Sequence, residues 1–142
     1  PDSTHHMMIV GVKPIYSNIA AQIAQLAFGS KLGPWFHQVV VDDTIDIYNY
    51  RQVFHAFTTR CHPKTGIHVW DGVGTPLNPF ATKFERTWSL GPKVLFDCTF
   101  PLDWDQNDRP HLVSFKTVYP KDIQESVLAR WSDWGFNKKG RE

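Results

Sequence analysis

Cysteine is nearly absent. Cys61 and Cys98 are the only two in 142 residues, too few for a disulfide framework and without the paired spacing of a zinc site. A reducing cytoplasm is the expected compartment. No apolar run approaches the roughly 20 residues that span a bilayer, and the first residues lack the basic-then-apolar order of a secretion signal. A soluble chain with no membrane partner is expected. Charge is also sparse: charged residues make up 20%, the formal net charge is +1, and Lys and Arg are scattered singly. Without a concentrated basic face, nucleic acid is not an expected partner. Nucleophile elbow, phosphate-cradling glycine loop and dinucleotide fingerprint are missing too. Gly72-Val73-Gly74 lacks the third glycine and a strand-to-helix turn.

What is present is large apolar side chains. Apolar residues reach 42%, with six Trp and ten Phe, enough to fill a core and line a pocket, which excludes disorder over most of the length. The length suits one compact domain, taken here as 1–142 with 137–142 as a fraying tail. The chain opens on Pro1-Asp2-Ser3 rather than Met, so residues lost before Pro1 are expected.

Met7 to Val12 is a short apolar run suited to a strand buried on both faces. From Asn18 onward, Ile19, Ile23, Leu26 and Ala27 recur with helical period, and Gly29 stands where a left-handed C-cap belongs. Phe36 to Val41 predicts a second buried strand, and Asn49 caps a predicted helix with Tyr50, Val53, Phe54 and Phe57 on one face. Ile67 to Trp70 predicts a third strand, followed by a long irregular stretch from Asp71 to Pro92. Lys93 to Asp97 predicts a fourth strand. Pro120 opens a last helix with Ile123, Val127, Leu128 and Trp131 as its apolar stripe. Strand and helix alternating in units of about thirty residues is the βαβ signature, so the expected fold is a three-layer α/β/α domain with a mostly parallel sheet. In such sheets functional groups gather at the carboxyl ends of strands, which points to Asp42–Asp46, the segment after Trp70 and the segment after Asp97.

Asp42, Asp43 and Asp46 together suggest a hard cation or an acid–base pair, but carboxylates before a helix also cap N–H groups, and the structural reading outweighs. Arg60, at the end of the following helix, is expected to fold back on this turn as a partly buried ion pair. Seven histidines invite a metal, yet none has a second ligand at helical spacing, and Cys61-His62 stands alone. No metal site is expected in the chain. The loop Gly74-Thr75-Pro76-Leu77-Asn78-Pro79 is either a surface loop with a packed Leu or apolar lining for a pocket completed by another domain; Trp35 and Phe36 pose the same choice between core and ligand contact.

Val39 to Tyr48, followed by Val53 to Cys61 at the same separation, closely resemble the C-terminal region of the UbiD family of reversible decarboxylases. Gly74 to Pro79 is similar to that family's glycine-x-proline-leucine loop, Lys93 to Thr99 to its late strand, and Tyr119 to Phe136 to its closing helix. Pro1 to Met7 fits the segment leading into that domain. Thr44 departs from relatives that carry another acid there, and Thr75 from relatives acting on cinnamic-type acids, which carry a bulky aromatic.

The resemblance implies non-oxidative decarboxylation of aromatic, above all phenolic, or conjugated acids. It implies prenylated FMN held with a divalent metal (Mn or Mg) and potassium by preceding domains, where the catalytic residues also lie. No catalytic, flavin or metal residue of this chain matches those motifs, so none of these groups is expected on this chain alone. What carries over is substrate-pocket lining by Thr75, Pro76 and Leu77, with Trp35 and Phe36 beside them, together with subunit contacts in a homo-oligomer. The remaining alternatives are an assembly subunit anchored by Trp131 and Trp134, or an independent small-molecule-binding α/β domain.

Overall fold

A computed structural model of the chain describes residues 6–30, 35–110 and 113–136; the expected frayed tail, 137–142, lies outside them, as do Pro1 to His5 and Gly33-Pro34. The chain falls into two compact units, Pro1–Asp105 and Gln106–Glu142.

In the first unit, β1 (Met7–Val12), β2 (His37–Asp42), β3 (Ile67–Val73) and β4 (Leu90–Cys98) form one sheet in the order β1-β2-β4-β3. β1 with β2 and β2 with β4 run parallel, Val10 lying opposite Val40 and Val41 opposite Cys98. Successive side chains leave a strand on opposite faces, so each face needs its own cover. Helix α1 (Ile19–Gly29) covers one, packing Ala20, Ala21, Ala24 and Phe28 on Val40 and Leu95. Helix α2 (Tyr50–Arg60) covers the other, packing Val53 and Ala56 on Val39, Val41 and Cys98. The three-layer α/β/α fold with a mostly parallel sheet is therefore the one expected.

Several details differ from the sequence expectation. β3 is antiparallel to β4, with Val69 opposite Val94, because β4 inserts between β2 and β3 and the chain reaches it through a hairpin-like return. The stretch 71–92 is only partly irregular: β3 continues to Val73, α3 (Lys83–Trp88) follows, and β4 starts at Leu90. β1 lies at a sheet edge, so Met7 is half exposed rather than buried on both faces. The buried face of α1 is rotated toward its alanines, which allow close approach to the sheet, and Leu26 points to solvent. Gly29 is not left-handed; Ser30 closes the helix in an extended conformation, donating its Oγ to Ala27 O at 2.9 Å. Asn18 itself is left-handed and makes no side-chain cap, whereas Asn49 caps α2 as expected, accepting from Arg51 and Gln52 N–H. On α2, Tyr50 and Phe54 are exposed, Phe54 stacking on the half-buried Phe57.

The second unit holds α4 (Phe115–Val118) and α5 (Lys121–Ala129). Pro120 precedes α5 as expected, and Gln124 Nε2 ties the two helices by donating to Lys116 O and Tyr119 O. Trp131 and Phe136 pack ring against ring at 4.6 Å, while Ile123, Leu128 and Trp134 stay exposed.

Candidate functional site

The acidic turn resolves first. Arg60 Nη1 donates to Asp42 Oδ2 at 2.7 Å, and the guanidinium lies 4.3 Å from the centre of the Phe100 ring. Asp46 Oδ1 instead accepts from Tyr48 N–H, and Asp43 faces solvent. The three carboxylates thus take three different directions, and the expected Arg60 ion pair is present. His62 Nδ1 accepts from Lys64 and Thr65 N–H, a turn-closing role. Among the described residues no group of three metal-ligating side chains occurs.

Next to that turn, Cys61 Sγ donates to Gly66 O and Cys98 Sγ to Phe96 O, each at 3.6 Å, and burial pushes both thiols above their ordinary range. A thiol held protonated is a poor nucleophile and ligand, so the pair reads as packing between α2 and β4. This carboxyl edge of the sheet is closed by ion pair and thiols.

The opposite edge is where the glycine and proline loop lies, since antiparallel β3 ends there. Gly74 donates its N–H to Ser89 O, and a Cβ at Gly74 would stand 2.1 Å from Leu90 O, so only glycine permits this close approach. Asn78 N–H returns to Thr75 O and Ala81 N–H to Asn78 O, two successive turns, while Thr75 Oγ1 accepts from Leu77 N–H. Phe80 anchors the far end, its ring edge-on to Phe36 at 5.5 Å and to His37 at 6.2 Å. Thr82 and Glu85 then form a reciprocal capping box that starts α3; the Thr82 backbone and hydroxyl hydrogen bonds hold the Glu85 carboxyl below its usual range. The result is a loop whose backbone is tied down on both sides and whose apex residue, Leu77, is 79% exposed.

Trp35 and Phe36 approach the same edge. Phe36 is only 1% exposed, enclosed by Phe80, His6 and the Lys93 ammonium, so within this chain it backs the loop from the core. Trp35 is partly exposed, and its carbonyl accepts from Lys93 Nζ at 2.7 Å. Lys93 is itself buried at 2% exposure, with Nζ over the Phe36 ring, and burial depresses its pKa. The structure thus brings Thr75, Pro76 and Leu77 to one edge with Phe36 behind them through Phe80, and Trp35 adjoining Phe36 along the chain. Arg86, which holds this loop through its carbonyls, escaped the sequence reading; the Thr82-x-x-Glu85 capping signature was the signal that could have marked α3.

The described residues do not fit a flavin or its metal. Among the described residues the deeply buried Lys93 is engaged with a carbonyl and aromatic rings, Asp42 with Arg60 and Asp46 with the Tyr48 N–H. Fold and loop define an α/β domain that holds the exposed Leu77 on a hydrogen-bonded loop at one edge of its sheet. The comparisons give this class its family. The chain belongs to the UbiD family as its C-terminal domain: the family described as 3-octaprenyl-4-hydroxybenzoate carboxy-lyase C-terminal domain matches residues 1–98.

The chain is 29% identical over 119 residues to the pyrrole-2-carboxylic acid decarboxylase of Pseudomonas aeruginosa, covering 82% of this chain and 24% of that protein. Against ferulic acid decarboxylase 1 of Saccharomyces cerevisiae it is 28% identical over 118 residues, with 81% and 24% covered. It therefore spans about a quarter of the length of the curated relatives it matches. Among solved structures, the closed form of the vanillic acid decarboxylase of Sedimentibacter hydroxybenzoicus superposes with a TM-score of 0.68 at 26% identity, over 91% of this chain and 26% of that one. The UbiD-class enzyme HmfF of Pelotomaculum thermopropionicum, in complex with FMN, shares the fold with a TM-score of 0.66 at 22% identity, over 82% of this chain and 26% of that one. No helix among the described residues is long and apolar enough to cross a membrane.

Proposed function

We propose that this chain is the C-terminal domain of a prenylated-FMN-dependent, reversible decarboxylase of aromatic, preferentially phenolic, or conjugated acids, and that its loop Thr75-Pro76-Leu77, with Trp35 beside it, lines the substrate pocket. The single observation that carries the pocket role is the exposed Leu77 at the apex of a loop whose backbone is otherwise hydrogen-bonded and anchored. An apolar side chain held out rigidly is suited to a surface completed by something else. The decarboxylases similar to this chain and the FMN complex of a shared fold support the reaction class and the flavin. Flavin, divalent metal, potassium and catalytic residues would belong to preceding domains. The flavin supplies the chemistry of carbon dioxide loss when bound; this domain supplies shape, excluding water and selecting the flat body of the acid. Phe36 stands behind the pocket as support.

A second role is compatible: the partly exposed Ile123 and Trp134 of the α5 unit favour subunit contacts in a homo-oligomer. The cytoplasm is the proposed compartment, supported by free cysteines.

The test is Leu77→Ala and Leu77→Trp in the complete enzyme. The ratio of kcat/KM for a bulky and a compact aromatic acid should move about tenfold, in opposite directions for the two variants, with flavin content unchanged. An unmoved ratio contradicts the pocket role.

A further inference from the structure

Arg86 is an exposed residue of α3 whose side chain reaches back to the loop. Its Nε donates to Ala81 O at 2.9 Å, Nη2 to Pro79 O at 3.3 Å and Nη1 to Pro76 O at 3.4 Å. One planar group thus gathers three carbonyls from a six-residue stretch, two of them belonging to prolines, which have no N–H to brace the chain themselves. The guanidinium fork is suited to this work because its donors diverge in a fixed plane; a lysine ammonium is a single point. The residue is held in turn. Its backbone N–H donates to Thr82 O within the first turn of α3, and the Thr82–Glu85 capping box secures that turn against the end of the loop. The loop and the helix therefore brace one another.

We propose that Arg86 is a positioning residue for substrate discrimination, fixing Pro76 and thereby the direction in which the neighbouring Leu77 side chain projects. This rests on the pocket reading of the loop. A pocket wall discriminates between acids only if it does not yield to the larger one, and the backbone of Pro76 is fixed by Arg86 rather than by sheet pairing.

The experiment compares Arg86→Gln, Arg86→Lys and Leu77→Ala in the complete enzyme, with Lys83→Gln as a charge control on the same helix. Two readouts are taken: the kcat/KM ratio for a bulky and a compact aromatic acid, and hydrogen exchange at the Asn78 and Ala81 amides. Arg86→Gln should shift the ratio toward the bulky acid by about threefold to tenfold, the scale of one net hydrogen bond, with KM carrying more of the change than kcat. Exchange at Asn78 and Ala81 should quicken while β2 amides stay protected. Arg86→Lys should fall between Gln and the parent, and Lys83→Gln should match the parent. If Leu77→Ala moves the ratio and Arg86→Gln does not, the role of Arg86 is overturned and the pocket reading stands. If neither moves it, the pocket reading fails, and Arg86 is reduced to a clamp on a surface loop. Should Arg86→Gln not fold, Arg86→Lys decides alone: behaviour identical to the parent in both readouts overturns the proposal.

Discussion

Arg60 and Asp42 are joined by a 2.7 Å charge-assisted hydrogen bond although eighteen residues separate them, and both side chains are only 9% exposed. The contact links the last residue of α2 to the last residue of β2, so it locks the crossover helix over the strand it has just left. The Phe100 ring covers the other side of the guanidinium.

Arg60→Ala should therefore destabilise the domain by about 3 kcal/mol, the scale expected when a buried pair loses one partner. Replacing both residues, as Asp42→Asn with Arg60→Met, should cost less than the single change, because no buried charge is stranded. Urea denaturation of the three proteins checks this; an Arg60→Ala variant as stable as the parent would contradict the lock.

Lys93 makes a prediction in pH. Burial lowers its folded pKa below the ordinary 10.5, so between those two values the unfolded chain binds more protons than the folded one. Its contribution to stability accordingly rises with pH through that window, as the desolvated ammonium becomes neutral. The Cys61 and Cys98 thiols act in the opposite sense: raised in the fold above 9.0, they stabilise it below that value and lose this as pH climbs through their folded values. Comparing the parent with Lys93→Met isolates the lysine. The difference in stability between them, followed by urea denaturation from about pH 7 to about pH 10.5, should shift in the parent's favour as pH rises. A difference that is flat or of the opposite slope contradicts an ammonium whose pKa is lowered by burial.

The layered fold was readable because each of its main segments carries one period. Val39-Val40-Val41 in β2 is apolar without alternation because both faces are covered, and Asn49 before Tyr50 marks a helix start by a side chain that can cap it. The Asp42–Arg60 pair was readable from charge, an acidic turn at the end of a strand followed by a cation at the end of the next helix. The direction of β3 was not. Alternation along Ile67 to Val73 says which side chains are half-buried, but nothing about which neighbour the strand joins or which way it runs. That mattered for function, because an antiparallel β3 carries the Thr75–Leu77 loop to the sheet edge opposite the one where parallel α/β domains gather their groups. Arg86 was invisible for a different reason: its partners are backbone carbonyls, and a carbonyl has no identity in a sequence.

The central claim is that the apex of this loop meets the substrate, and a crystal structure of the complete enzyme with an aromatic acid and flavin bound tests it most directly. The account predicts Leu77 side-chain carbons within about 4.5 Å of the acid's ring, with Arg86 still on the carbonyls of Pro76 and Pro79. An acid bound out of reach of residues 75–77, or a loop sealed against a neighbouring subunit instead, would contradict it.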